Sequence, residues 1–193
     1  MVSEFKHRDE HFTILKLHHS TEFLEECCNL LNEQWPKTRE YRMHQLIKSR
    51  DTFPLSYVLV DSKKILCGHV SVKRETDTRA CIWSMIITKK RRGCGLGRTF
   101  LMQTENLLKH DGFKEIVLLS EDQTSFYLKC GYIIPFENST NNHKSIDNKP
   151  KELNSTTDKQ ILVRPPPPLP KSSPLRPNFV EKSRTFMIKT IGY

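Results

Sequence analysis

Met85–Gly97 reads M-I-I-T-K-K-R-R-G-C-G-L-G: an apolar, strand-like run that passes into four consecutive basic residues and then glycine at 93, 95 and 97. From Gly97 to His110 apolar residues recur at helical spacing, and Asp111-Gly112 supplies a C-terminal stop. Glycines at a strand-to-helix turn let backbone N–H groups approach an anion with no Cβ in the way. The helix start adds the positive end of its dipole. The stretch therefore predicts a diphosphate cradle formed by Arg92, Gly93, Cys94, Gly95, Leu96, Gly97 and Arg98, with the neighbouring Lys89, Lys90 and Arg91 adding charge-assisted bonds to phosphate oxygens. No G-x-x-x-x-G-K-[ST] occurs, so this is not a Walker loop. Nor is it a dinucleotide fingerprint, because Arg98 stands where the third glycine would be.

Working outward, Pro54–Asp61, Ile65–Glu75 and Ala80–Thr88 read as strands joined by short turns, hence an antiparallel meander. Phe12–Leu17 alternates as a first strand. Ser20 or Thr21 is positioned to cap a helix running to Glu33, which Trp35-Pro36 breaks, and Thr38 to cap a second helix to Lys48. Beyond the glycine turn, Glu115–Leu119 is a buried strand, Thr124–Cys130 a short helix stopped by Gly131, and Tyr132–Phe136 another strand. Residues 137–184 carry eight of the eleven prolines and much Asn, Ser, Thr and Lys, the composition of a disordered insertion with a polyproline II stretch at Pro165–Pro170. Thr185–Ile191 turns strand-like again and is expected to return beside Tyr132–Phe136. The expected architecture is α/β (α+β): a mixed, mostly antiparallel twisted sheet of about seven strands flanked by helices, in one domain of residues 1–136 plus 185–193.

The Met85–Gly97 run resembles the acetyl-CoA loop of the GCN5-related N-acetyltransferases (GNAT), with Arg92, Gly95 and Gly97 at its fixed positions. Lys89 departs from the proline that is common there. The resemblance implies acetyl-CoA as co-substrate, a pantetheine arm running along Met85, Ile86 and Ile87, and no metal. Phe126-Tyr127-Leu128-Lys129-Cys130-Gly131-Tyr132 resembles the F-Y-x-x-x-G-[FY] segment of the same family, which implies that Tyr127 protonates the leaving thiolate. The base stays open: a water near Ser84 or strand carbonyls, or His69.

The acceptor is read from residues 37–50, which hold five Lys and Arg against Glu40 alone, with His44 among them. Such a wall repels cationic amines and attracts acidic ones. Asn32-Glu33-Gln34-Trp35-Pro36-Lys37-Thr38-Arg39 is similar to the N-x-Q-W-P-[KR]-[ST]-R block of the actin N-terminal acetyltransferases. That resemblance implies contacts from Arg39, His44, Gln45, Leu46 and Ile47 to an acidic N-terminus such as that of processed actin; Arg42 joins them from charge and spacing. It also implies profilin as a reader of Pro165–Pro170, with SH3 or WW domains as alternatives. Two other readings stand beside this one: an acetyltransferase for a small anionic amine, and a non-catalytic CoA-binding scaffold that recruits polyproline readers.

Composition narrows the classes. The 193 residues carry a net charge of +9, and no apolar run approaches the ~20 residues of a membrane span. The charged start, Met1–His11, is not that of a secretory signal. Cysteines at 27, 28, 67, 81, 94 and 130 include no C-x-x-C pair and read as reduced, packed thiols of a cytosolic protein. Nucleic acid is not expected, because no aromatic residues interleave with the basic cluster at 89–98. His7-Arg8-Asp9-Glu10-His11 matches the zinc-protease pattern H-x-x-E-H, but it lies in a polar stretch without apolar periodicity and is read as fortuitous.

Overall fold

The structure is a computed structural model that describes residues 3–135 and 184–192. The insertion read at 137–184, including Pro165–Pro170, lies outside the described residues except for Arg184.

Seven strands form one sheet whose spatial order equals chain order: β1 (Ser3–His7), β2 (Glu10–Lys16), β3 (Leu55–Asp61), β4 (Leu66–Arg74), β5 (Arg79–Ile87), β6 (Glu115–Ser120) and β7 (Thr185–Thr190). All neighbours are antiparallel except β5 and β6. A parallel pair needs a long crossover, and helix α3 (Leu96–His110) supplies it. The helices α1 (Leu24–Gln34) and α2 (Arg39–Ile47) lie between β2 and β3 in the chain, and α4 (Thr124–Lys129) follows β6. The expected fold class is what the molecule adopts.

Every residue of β3 is buried, which is why L-S-Y-V-L-V-D runs apolar instead of alternating. Its side chains divide between two cores. Leu55, Tyr57 and Leu59 join Val70, Ile82, Phe100 and Leu108 on the α3 side, while Val58 and Val60 join Cys27, Leu31, Leu46 and Ile86 on the α1/α2 side. The sheet is thus sandwiched by helices. Gly68 sits in the ladder opposite Ile87, and a Cβ there would meet the Ile86 carbonyl oxygen and Ile87 Cδ1, both at 2.8 Å. Backbone cannot yield as a side-chain tip can. Gly68→Ala should therefore cost about 1–3 kcal/mol and lower Tm by roughly 3–10 °C, measured by thermal unfolding.

Several expectations need correction. The strand at Tyr132–Phe136 reduces to one bridge, Ile133↔Ile188, with Phe136 outside the described residues. The tail strand β7 does return beside that stretch at Ile188, and it also pairs with all of β6, from Glu115↔Thr190 to Ser120↔Thr185. The seventh strand is β1, in the stretch read as merely polar, where Phe5 stacks on Phe12 at 5.7 Å. The cap expected at Ser20 or Thr21 is absent: short 3-10 turns at Leu17–His19 and Thr21–Phe23 precede α1, and buried Ser20 makes no capping bond. Thr38 does cap α2, its hydroxyl accepting from the Tyr41 N–H at 3.3 Å.

Candidate active site

The glycine turn lies where β5 ends and α3 begins. Gly95 caps the helix at φ +87° and Gly93 sits at +76°, the left-handed region that other residues avoid. No side chain caps this helix start. The Arg98 and Thr99 amides fold back onto the Gly95 carbonyl at 3.0 and 3.2 Å, and the amides of Gly93–Gly97 find no backbone acceptor among the described residues. These are the unsatisfied donors that suit an anion.

The basic residues around the turn divide by role. Arg92 donates from Nε to the Ile87 carbonyl at 2.9 Å, tying the loop to the strand end. Arg91 is turned away from the glycines, onto Asp61 Oδ2 at 3.0 Å and Glu10 Oε2 at 2.6 Å, and Lys89 pairs with Glu33 at 3.3 Å. As placed, neither cation is available to the phosphates that the sequence suggested for it. In the sequence Asp61 stood out only as the end of a strand. It is buried and also accepts the Lys63 and Ile65 amides, both at 3.0 Å. Burial would raise its carboxyl, but those amides and Arg91 outweigh that and hold it below the usual carboxylate range. Its ionised form thus favours the fold above the ordinary carboxylate pKa, and this contribution is lost as pH falls through the lowered value.

Strands β5 and β6 pair only from Arg79↔Glu115 to Ile82↔Leu118, although both continue. Past that point β6 no longer pairs with β5, and on that side the Ile87 carbonyl is taken by Arg92 instead of by a strand. A register shift at Ser71/Val72 in the neighbouring ladder accompanies this change. Met85 and Ile87 face the α3-side core, whereas Ile86 is buried on the α1/α2 side and its backbone is paired with His69 of β4.

Helix α4 brings the second motif to the first. A Cβ on Gly97 would meet Ile87 Cγ1 at 3.5 Å and the Phe126 ring at 3.9 Å, so strand end, helix start and α4 converge at one point. Tyr127 stands between Phe126 and Tyr132, with ring centroids at 5.0 and 5.5 Å. Burial pushes its phenol up to about 12, which keeps the proton in place at neutral pH.

On the acceptor side the predicted residues are less free than the sequence suggested. Arg39 pairs with Glu25 of α1. Arg42 is half-buried and donates to Asn32 Oδ1 at 3.1 Å and to the Trp35 carbonyl, bracing the α1–α2 connection. His44, Gln45 and Ile47 are exposed. Leu46, expected to touch the peptide, is 3% exposed and packs in the core instead. His69 is sealed in the sheet at 1% exposure; burial, with a smaller push from Arg42, holds its imidazole down at about 3. A ring that weakly basic and that enclosed is poorly suited to take the amine's proton. Among the described residues, His18, His19 and Asp51 have metal-like spacing, with ligand atoms within 4.8 Å, but the Lys16 ammonium already sits on Asp51. No helix among the described residues is long and apolar enough to cross a membrane.

Comparison with known proteins agrees with this geometry. The model of the acetyltransferase (GNAT) family matches residues 22–132, and the chain belongs to that family. The family is one of acetyltransferases, and the open amides of the glycine turn suit a diphosphate. Among curated proteins it is similar to N-alpha-acetyltransferase 80 of Mus musculus, 30% identical over 119 residues that cover 58% of this chain and 38% of the relative. It is also similar to an uncharacterised N-acetyltransferase, ycf52, of Gracilaria tenuistipitata var. liui, 30% identical over 74 residues covering 38% of this chain and 41% of the relative. The matched region thus spans about two fifths of either relative's length. Among solved structures, aminoglycoside 6'-acetyltransferase type Ii superposes with a TM-score of 0.59 at 17% identity, covering 99% of this chain and 97% of that one. Tetrahymena GCN5 gives 0.58 at 12% identity, covering 90% and 89%. At these identities the likeness concerns the fold.

Proposed function

We propose that the chain moves acetyl from acetyl-CoA to the N-terminal amine of a protein that begins with acidic residues, processed actin being the leading substrate. The observation that carries this reading is the basic rim at residues 37–50, where five Lys and Arg stand against Glu40. It belongs to α2 and its flanks, beside the connection that Arg42 braces. The Asn32–Arg39 block and the similarity to a relative named as an N-alpha-acetyltransferase point the same way.

An α-amino group titrates near ~8, so much of it is already neutral at cell pH. The enzyme's task is to hold it against the thioester carbonyl. A backbone N–H of β5 stabilises the oxyanion, and Tyr127 returns a proton to the CoA sulfur. His44, Gln45, Ile47 and the exposed Arg39 contact the acidic peptide, and Arg42 braces the connection that positions them. Residues 1–136 and 185–193 constitute the catalytic domain, and Pro165–Pro170 within 137–184 recruits a polyproline reader such as profilin, in the cytosol.

The test is turnover with acetyl-CoA on peptides that begin with three Asp, three Lys or three Ala. The acidic peptide should exceed the basic one in kcat/KM by at least about tenfold. Equal turnover on all three would remove the acidic specificity, and CoA binding without turnover on any of them would favour the scaffold.

A further inference from the structure

The H-x-x-E-H stretch finds no place among the acetyl-transfer motifs, and the fold gives it another. His7 closes β1, Glu10 opens β2, and the two pair across the hairpin. This arrangement is unlike the helix on which the protease motif presents its ligands. Both side chains instead reach the loop that carries the glycines. His7 Nε2 lies 3.0 Å from the Cys94 carbonyl oxygen, and its Nδ1 lies 2.9 Å from Thr99 Oγ1. A carbonyl only accepts, so Nε2 carries the proton and Nδ1 accepts from the threonine hydroxyl; one neutral tautomer satisfies both bonds. Its ring carbon Cε1 lies 3.6 Å from where a side chain on Gly95 would begin. Glu10 meanwhile holds Arg91 at 2.6 Å, and the Arg91 carbonyl accepts from Cys94 Sγ at 3.1 Å.

The hairpin therefore grips the turn at Arg91, Cys94 and Thr99 of α3: before, between and after the two left-handed glycines. A glycine-rich turn has more conformations to lose than any other. A site that is only fractionally in its competent form binds more weakly in proportion to that fraction. The His7 bond also holds the Cys94 carbonyl toward the hairpin. We propose that His7 and Glu10 are positioning residues that preorganise the glycine turn for the diphosphate of CoA. This rests on the turn being the CoA cradle.

Calorimetry on the full chain tests it without any acceptor substrate. CoA is titrated into wild type, His7→Ala, His7→Gln and Glu10→Gln, each first checked by thermal melting. S-acetylpantetheine, which lacks the diphosphate, is then competed against CoA. His7→Ala should raise the Kd for CoA about tenfold, His7→Gln should restore part of the loss by keeping a donor, and Glu10→Gln should raise it a few-fold. The S-acetylpantetheine constant should stay within twofold throughout. If His7→Ala fails to fold, His7→Gln decides the matter on the same two ligands. CoA binding unchanged within twofold, or an equal loss of both ligands, would overturn the proposal. Absence of heat with CoA for wild type would sink the cradle reading itself, and this inference with it.

Discussion

Replacing Tyr127 with phenylalanine should lower kcat about a hundredfold, within the usual range for loss of a positioned acid, while leaving the Kd for CoA within about twofold. The two readouts separate because of what the side chain touches. Its ring packs at 5.0 and 5.5 Å from Phe126 and Tyr132, and phenylalanine keeps that packing. Only the hydroxyl is lost, and with it the proton that we propose it gives to the departing thiolate. Because burial lifts the phenol to about 12, it stays protonated far above neutrality. The wild-type rate should thus rise with pH as the acceptor amine deprotonates near ~8, with no fall from loss of the tyrosine proton below about pH 10. Steady-state kinetics across that range, with calorimetry for CoA, checks both statements. A variant that keeps half of wild-type kcat would remove Tyr127 from the chemistry.

The second large effect belongs to Gly95. Gly95→Val places a β-branched residue at φ +87°, which costs on the order of 1–3 kcal/mol if the turn is kept. If the turn instead relaxes, the amides of residues 93–97 lose their common direction. CoA must then restore the strained turn at that cost, so the Kd for CoA should rise about 10–100-fold, since each 1.4 kcal/mol is tenfold. Gly112→Val is the matched control: it too has a positive φ, +92°, with no neighbouring atom within 4 Å of a new Cβ, but at the far end of α3. It should lower Tm and leave CoA binding unchanged. Equal losses of affinity in the two variants would mean that the effect is general instability.

These expectations came unevenly from the primary structure. Met85–Gly97 was legible because strand, basic run and glycine turn are contiguous, and nearest-neighbour sterics dictate where a left-handed residue must sit. Likewise Thr38 announces the cap of α2, a bond spanning only three residues. The aromatic segment at 126–132 could be named, but its meeting with Gly97 and Ile87 depends on a parallel crossover. β1 was missed because only Phe5 among Ser3–His7 is apolar, and an edge strand of alternating partial exposure needs little more. The expected strand at Tyr132–Phe136 yielded to β7, which pairs with β6 along six residues. Arg39 and Arg42 looked like a free basic wall because composition shows charge but not the Glu25, Asn32 and Trp35 groups that the α1–α2 packing sets against them.

By itself, then, the order of residues determined the local devices: the glycine turn, the meander, the cap of α2 and the sign of the charge at residues 37–50. Tertiary structure alone decided which devices meet. His7 reaches Cys94 across 87 positions, and Arg91 turns to Asp61 instead of to phosphate. The physical reason is that periodicity and capping act over a few residues, whereas register and helix packing bring together groups with no relation along the chain.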